Sequence, residues 1–166
     1  YSSAASDVYK RQALWISGFG GEYGATDPAM LTTDQSGCTN GYVGSNGGTQ
    51  YNEFENHSGG HSENTSCNYT STFNGTSSAA PTVAGVVALM LEANPALTWR
   101  DVKHILATTA VQVGSDSDYS YTYQGIVQYE WETNSAGHKF HNWYGFGVID
   151  AAAAVSSAKA YTPNNL

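Results

Sequence analysis

Between Thr76 and Ala93 the chain reads TSSAAPTVAGVVALMLEA, apolar on nearly every side of a helix. Such a helix has no solvent face and belongs in the interior of a large domain. Pro81 falls in the first turn or so, where a missing N–H costs little. Gly85 suits close packing against another backbone, and Asn94-Pro95 stops the helix. The chain has 166 residues, about one domain or a piece of a larger one. No uninterrupted apolar run reaches the length of about 18 residues that a membrane span needs. Six Lys and Arg against fourteen Asp and Glu give a net charge of -8. That excludes the clustered basic surface of a nucleic-acid binder. Aromatic residues make up 13% of the chain, which argues against disorder as the main state.

Around this helix the rest of the chain is polar and rich in turns. Ala13–Gly18 is a short apolar run ending in glycines, a buried-strand pattern. Ala29–Thr33 is a second candidate strand. Asp34 to Asn74 is almost wholly polar, a loop long enough to be functional or an insertion. Past the buried helix, Thr98 and Asp101 form a capping pattern for a second helix. Val102, Ile105 and Leu106 recur at helical spacing with Trp99 on the same side, and Lys103 and His104 point outward. Residues 111–144 are Tyr-rich, with alternation at Tyr119, Tyr121 and Tyr123 and again at Val127, Tyr129 and Trp131. Ser135-Ala136-Gly137 reads as a turn between ribbons. Asp150 caps a last helix that runs to Ala160.

The ends read differently from the middle. Residues 1–12, YSSAASDVYKRQ, have no apolar core of a signal peptide and resemble translated adaptor sequence. On that reading they are non-native. A native surface segment and a dibasic processing site at Lys10-Arg11 are the alternatives. Residues 161–166 read as a linker. Cys38 and Cys67 are the two cysteines, without the close spacing of a zinc or thioredoxin motif. An even count in an acidic, Lys-poor chain fits one disulfide in an exported protein. Two thiols in a cytosolic protein would be the other reading.

The chemistry is concentrated at Asn74-Gly75-Thr76-Ser77-Ser78-Ala79-Ala80-Pro81. A loop, a glycine and hydroxyl residues stand here at the start of a buried helix. Unpaired N–H groups at a helix start carry partial positive charge and can stabilise an oxyanion formed when a serine attacks a carbonyl. Gly75 would let a substrate backbone approach closely. Simple N-capping by Ser and Thr explains the same residues without catalysis.

Residues 75–81, GTSSAAP, resemble the G-T-S-x-A-x-P motif around the nucleophile of subtilisin-like serine proteases. The run from Leu91 through Asn94-Pro95 to Leu97-Thr98-Trp99-Arg100-Asp101-Val102 resembles the kexin/furin branch. So do Leu31-Thr32-Thr33-Asp34 and Tyr144-Gly145-Phe146-Gly147-Val148-Ile149-Asp150-Ala151. The resemblance covers nearly all of residues 13–160, in order. It implies an α/β fold, the subtilisin-like parallel-sheet sandwich, of which residues 13–160 are the C-terminal part. It makes Ser77 the nucleophile of a serine endopeptidase acting through an acyl-enzyme. The Ser77 backbone N–H becomes an oxyanion donor, with Gly75 and Thr76 beside the substrate.

The family's triad aspartate and histidine settings do not occur in the chain. His57, His61, His104, His138 and His141 read as surface histidines. Asp34 lies too close to the serine motif for the triad. Asn46, in a setting like that of the family's oxyanion asparagine, comes too late in the order. The resemblance therefore implies that the N-terminal half of the domain is missing and that the 166 residues alone are inactive. An inactive pseudo-protease or binding module is the alternative. Polypeptide substrates, an accessory domain after the catalytic one, and a secreted, periplasmic or cell-surface location are expected. Nucleic-acid and membrane partners are not. Calcium is usual in the family. Asp116, Asp118, Glu130 and Glu132 are acidic residues that offer oxygens, or simply solvated loops, and no metal site is assignable. Sequons at Asn56, Asn64, Asn68 and Asn74 matter only in a glycosylating host.

Overall fold

The computed structural model describes residues 14–22, 24, 29–43, 54–55, 61–113 and 131–163. Residues 1–12, the Tyr119–Tyr129 alternation, Asn46, Asn56, His57, Asp116, Asp118 and Glu130 lie outside them. Two compact units divide the chain. One is formed within Gly20–Ala79, the other by Ala80–Leu166 with the segment leading to Phe19.

In the first unit, β1 (Met30–Thr33) pairs antiparallel with β2 (Tyr69–Phe73). The register sets Thr32 against Thr70 and Thr33 against Tyr69, with a bulge between Met30 and Thr32. β2 falls in the stretch read as loop. Its sequence, YTSTF, has too little apolar character to signal a strand. The buried Glu55 carboxylate settles it: Oε1 accepts from the Thr70 hydroxyl and the Ser71 hydroxyl, both at 3.0 Å, and from the Ser71 N–H. Such multiple donation is what a buried carboxylate requires. Between the strands, Asp34 is a loop organiser. It accepts from the N–H groups of Gln35, Tyr42 and Val43 at 2.8, 2.6 and 3.0 Å. Cys38 and Cys67 form the disulfide, with Cα atoms 4.9 Å apart.

Helix α1 spans Thr76–Ala93 as its sequence dictates. Pro81 is the sixth residue, beyond the first turn, so it does remove a ladder hydrogen bond, the one to the carbonyl four residues back. In the second unit α1 is joined by α2 (Trp99–Thr109) and α3 (Ala151–Ala160). Val86 and Met90 of α1 enter a core with Leu97, Val102, Ile105, Leu106, Ile149, Ala154 and Ala158. The expectation of burial all round holds for that face only. Pro81, Ala84, Gly85, Ala88 and Leu89 are exposed, Leu89 at 50%. By length and composition α1 does reach a membrane-crossing segment, with a mean hydropathy of 1.3. That departs from the reading of no such run. Packing of Val86 and Met90 against protein is the use the fold makes of it.

Thr98 and Asp101 form the full capping box of α2. Asp101 Oδ2 accepts from the Thr98 N–H and hydroxyl, both at 2.7 Å. Trp99 departs from its expected place on the core side and is 65% exposed. The Arg100 guanidinium lies 4.8 Å from its ring centroid. Lys103, read as outward, instead sets Nζ 3.9 Å over the Trp15 ring, and Trp15 Nε1 donates to the Lys103 carbonyl. The expected strand at 13–18 is reduced to two bridges, Ile16 with Gly145 and Ser17 with Val148. The second is the parallel pairing among the described residues. β3 (Glu132–Thr133) and β4 (Lys139–Phe140) form the ribbon pair around the 135–137 turn.

Candidate active site

The site is built where β2 runs into α1. After Phe73 the chain turns at Gly75, whose φ of 85° favours glycine. A Cβ there would meet nothing within 4 Å, so conformation rather than crowding selects glycine. The Gly75 carbonyl accepts from the N–H groups of Ser78 and Ala79 at 3.1 and 3.2 Å and starts the helical ladder. Thr76 and Ser77 occupy the first two helical positions, whose N–H groups have no acceptor inside a helix.

The two serines of the motif are separated by their surroundings. Ser77 is exposed, as is Thr76. Ser78 is buried, with its hydroxyl 2.6 Å from the Gly20 carbonyl and 2.9 Å from that of Gly75. Asn74 Nδ2 donates to the Glu22 carbonyl at 2.8 Å. The sequence alone gave no sign of the Gly20–Glu22 contact, because 52 residues separate Glu22 from Asn74. Of the pair, only Ser77 is exposed to solvent.

The described histidines are engaged locally. His61 Nδ1 accepts from the Glu63 N–H at 3.2 Å. His104 is exposed on α2, and His138 is half-buried. His141 is a correction: it is 3% exposed, not at the surface. Its Nδ1 accepts from the Trp143 N–H at 3.0 Å, and its ring lies 4.9 Å from Tyr144 and 5.3 Å from Trp131. The aromatic density of its neighbours was the available signal for that burial. Of the sequons, Asn64 is buried with both ends of its amide engaged. It donates to Tyr69 O at 2.7 Å and accepts from Asn68 N at 2.9 Å, which leaves no access for a glycan. Glu132 is exposed on β3. Among the described residues no three His, Cys, Asp or Glu side chains gather to hold a metal.

An exposed serine thus stands on the first turn of α1, behind a strand and a positive-φ glycine turn. The Subtilase family model matches residues 25–147, and the chain belongs to that family. The extracellular serine protease of Aeromonas sobria is 37% identical over 173 residues, covering 98% of this chain and 26% of that protein. Human proprotein convertase subtilisin/kexin type 6 is 46% identical over 88 residues, covering 53% of this chain and 8% of the convertase. The crystal structure of the Aeromonas sobria serine protease superposes with a TM-score of 0.78 at 36% identity, over 92% of this chain and 27% of that one. The chain thus spans about a quarter of the Aeromonas protein, and its fold is the corresponding part of the subtilisin-like α/β architecture.

Proposed function

We propose that this chain supplies the nucleophile of a serine-type endopeptidase, which hydrolyses polypeptides through an acyl-enzyme on Ser77. The observation that carries the reading is the exposure of Ser77 at the start of α1, behind the positive-φ Gly75. Ser77 Oγ attacks the scissile carbonyl, and a histidine base takes its proton. The oxyanion is met by the Ser77 N–H, and the amine leaves as the base returns the proton. Water then hydrolyses the ester. An unassisted serine hydroxyl is a weak nucleophile at neutral pH. No described residue is placed as its base, so the 166 residues alone are expected to have no peptidase activity. The histidine and aspartate belong, on this reading, to an N-terminal half of the same domain. A calcium requirement and a following accessory domain remain part of the proposal. Export is supported by the Cys38–Cys67 disulfide and by the extracellular relative.

The test is labelling of the complete gene product with a fluorophosphonate, which acylates activated serines. Labelling that maps to Ser77 and is lost in Ser77→Ala supports the reading. A complete protein that neither labels nor cleaves casein would overturn it in favour of a binding module.

A further inference from the structure

Ser78 has no part in the chemistry proposed for Ser77, yet it is 3% exposed and its hydroxyl lies 2.6 Å from the Gly20 carbonyl. The Gly75 N–H donates to the same Gly20 oxygen at 2.8 Å. Asn74 Nδ2 donates to the Glu22 carbonyl at 2.8 Å. The turn that carries Ser77 is thus held on the Gly20–Glu22 segment by donors from residues 74, 75 and 78. Two of them precede Ser77 and one follows it. Gly20 is itself buried.

We infer that Ser78 is a positioning residue for the nucleophile. Its hydroxyl anchors the first turn of α1 on the side beyond Ser77, where neither Asn74 nor Gly75 reaches. That anchor fixes the direction of Ser77 Oγ and of the Thr76 and Ser77 N–H groups together. The hydroxyl carries one proton, and the shorter contact directs it to Gly20. In Ser78→Ala the Gly20 carbonyl keeps the Gly75 N–H, so no buried acceptor is orphaned and folding is tolerated. What is lost is the constraint after Ser77. Catalysis is sensitive to such a loss, since a displacement of about 1 Å costs on the order of 100-fold in rate. The inference rests on Ser77 being the nucleophile.

The test uses the complete gene product, with active sites counted by fluorophosphonate labelling. Ser78→Ala is expected to lower kcat per labelled site on the order of tenfold, with KM within about twofold because no substrate contact is removed. Ser78→Thr keeps the hydroxyl and is expected to restore most of the rate. Should its extra methyl prevent folding, Ser78→Cys, a weaker donor, is expected to fall between parent and Ser78→Ala. A folded Ser78→Ala protein with parental kcat per labelled site would overturn the inference. So would a lower melting temperature with no change in kcat, the mark of a merely structural hydroxyl. Failure of the underlying reading is distinct: the parent protein itself would then neither label nor cleave casein, or its activity would survive Ser77→Ala.

Discussion

The side chain of Asn94 donates from Nδ2 to the carbonyl oxygens of Ala158 and Tyr161, at 3.0 and 2.9 Å. The residue that ends α1 therefore also satisfies the last carbonyls of α3, which a helix end leaves without partners. Asn94→Ala would remove both donors, leaving the Tyr161 carbonyl unpaired while the Ala158 carbonyl keeps the Tyr161 N–H at 3.3 Å. A half-buried acceptor left unpaired costs about 1–3 kcal/mol. The expected outcome is a clear fall in the denaturation midpoint with little change in the slope. A midpoint unchanged within error would show that water replaces the asparagine.

Asp101 predicts the acid behaviour of the same region. The Thr98 hydroxyl and N–H, with the Tyr161 hydroxyl and nearby His104, hold its carboxyl below the ordinary value of 3.8, against a smaller opposing effect of burial. A carboxyl depressed on folding stabilises the fold above its unfolded pKa and loses that contribution as pH falls through the folded value. Stability is thus expected to drop below about pH 4, near the ordinary carboxyl range. In Asp101→Asn that part of the acid slope should vanish. Tyr161 gives the mirror case. Burial, then the Asp101 charge, raise its pKa above 10.0. Its contribution is present below pH 10.0 and lost as pH rises through the folded value.

Two glycines should fail for different reasons. Gly75→Ala meets open space but an unfavourable φ of 85°. The cost is about 1–2 kcal/mol of backbone strain, with a loss of Ser77 labelling larger than the loss of stability. Gly145→Ala adds a Cβ 2.5 Å from the Trp15 carbonyl, at a φ of 62°. Trp15 cannot retreat without breaking its hydrogen bond from Phe146 N. Poor soluble yield is expected for Gly145→Ala and normal yield for Gly75→Ala. Equal behaviour of the two would contradict the distinction.

Reduction of Cys38–Cys67 should release the loop between β1 and β2. The bridge spans 29 positions, worth about 3–4 kcal/mol in the chain-entropy model. Urea unfolding with and without dithiothreitol measures the difference. Coincident curves would mean that Asp34 and Glu55 hold the loop unaided.

How far these features could be read in advance depended on the range of the forces behind them. The spans of α1 and α2, the Asp150 cap and the 135–137 turn follow from local periodicity, capping and turn chemistry. Those signals lie within a few residues of each other. β2 was hidden because its strand character depends on pairing with β1 and on Glu55, fifteen positions before Thr70. Trp99 and His141 were misplaced for a related reason. An aromatic side chain is buried or exposed according to which distant elements reach it, and periodicity does not report that.

By itself the sequence determined the GTSSAAP motif, the helix it opens and the family to which both belong. Those are statements about residue types in order along the chain. Tertiary structure decided which of the two adjacent serines is presented. Ser77 is left exposed, while the Gly20 carbonyl, 58 positions from Ser78, holds the second hydroxyl in the interior. A hydroxyl is free to react or committed to structure according to whether an acceptor stands within hydrogen-bonding distance. Only the folded chain brings that acceptor there.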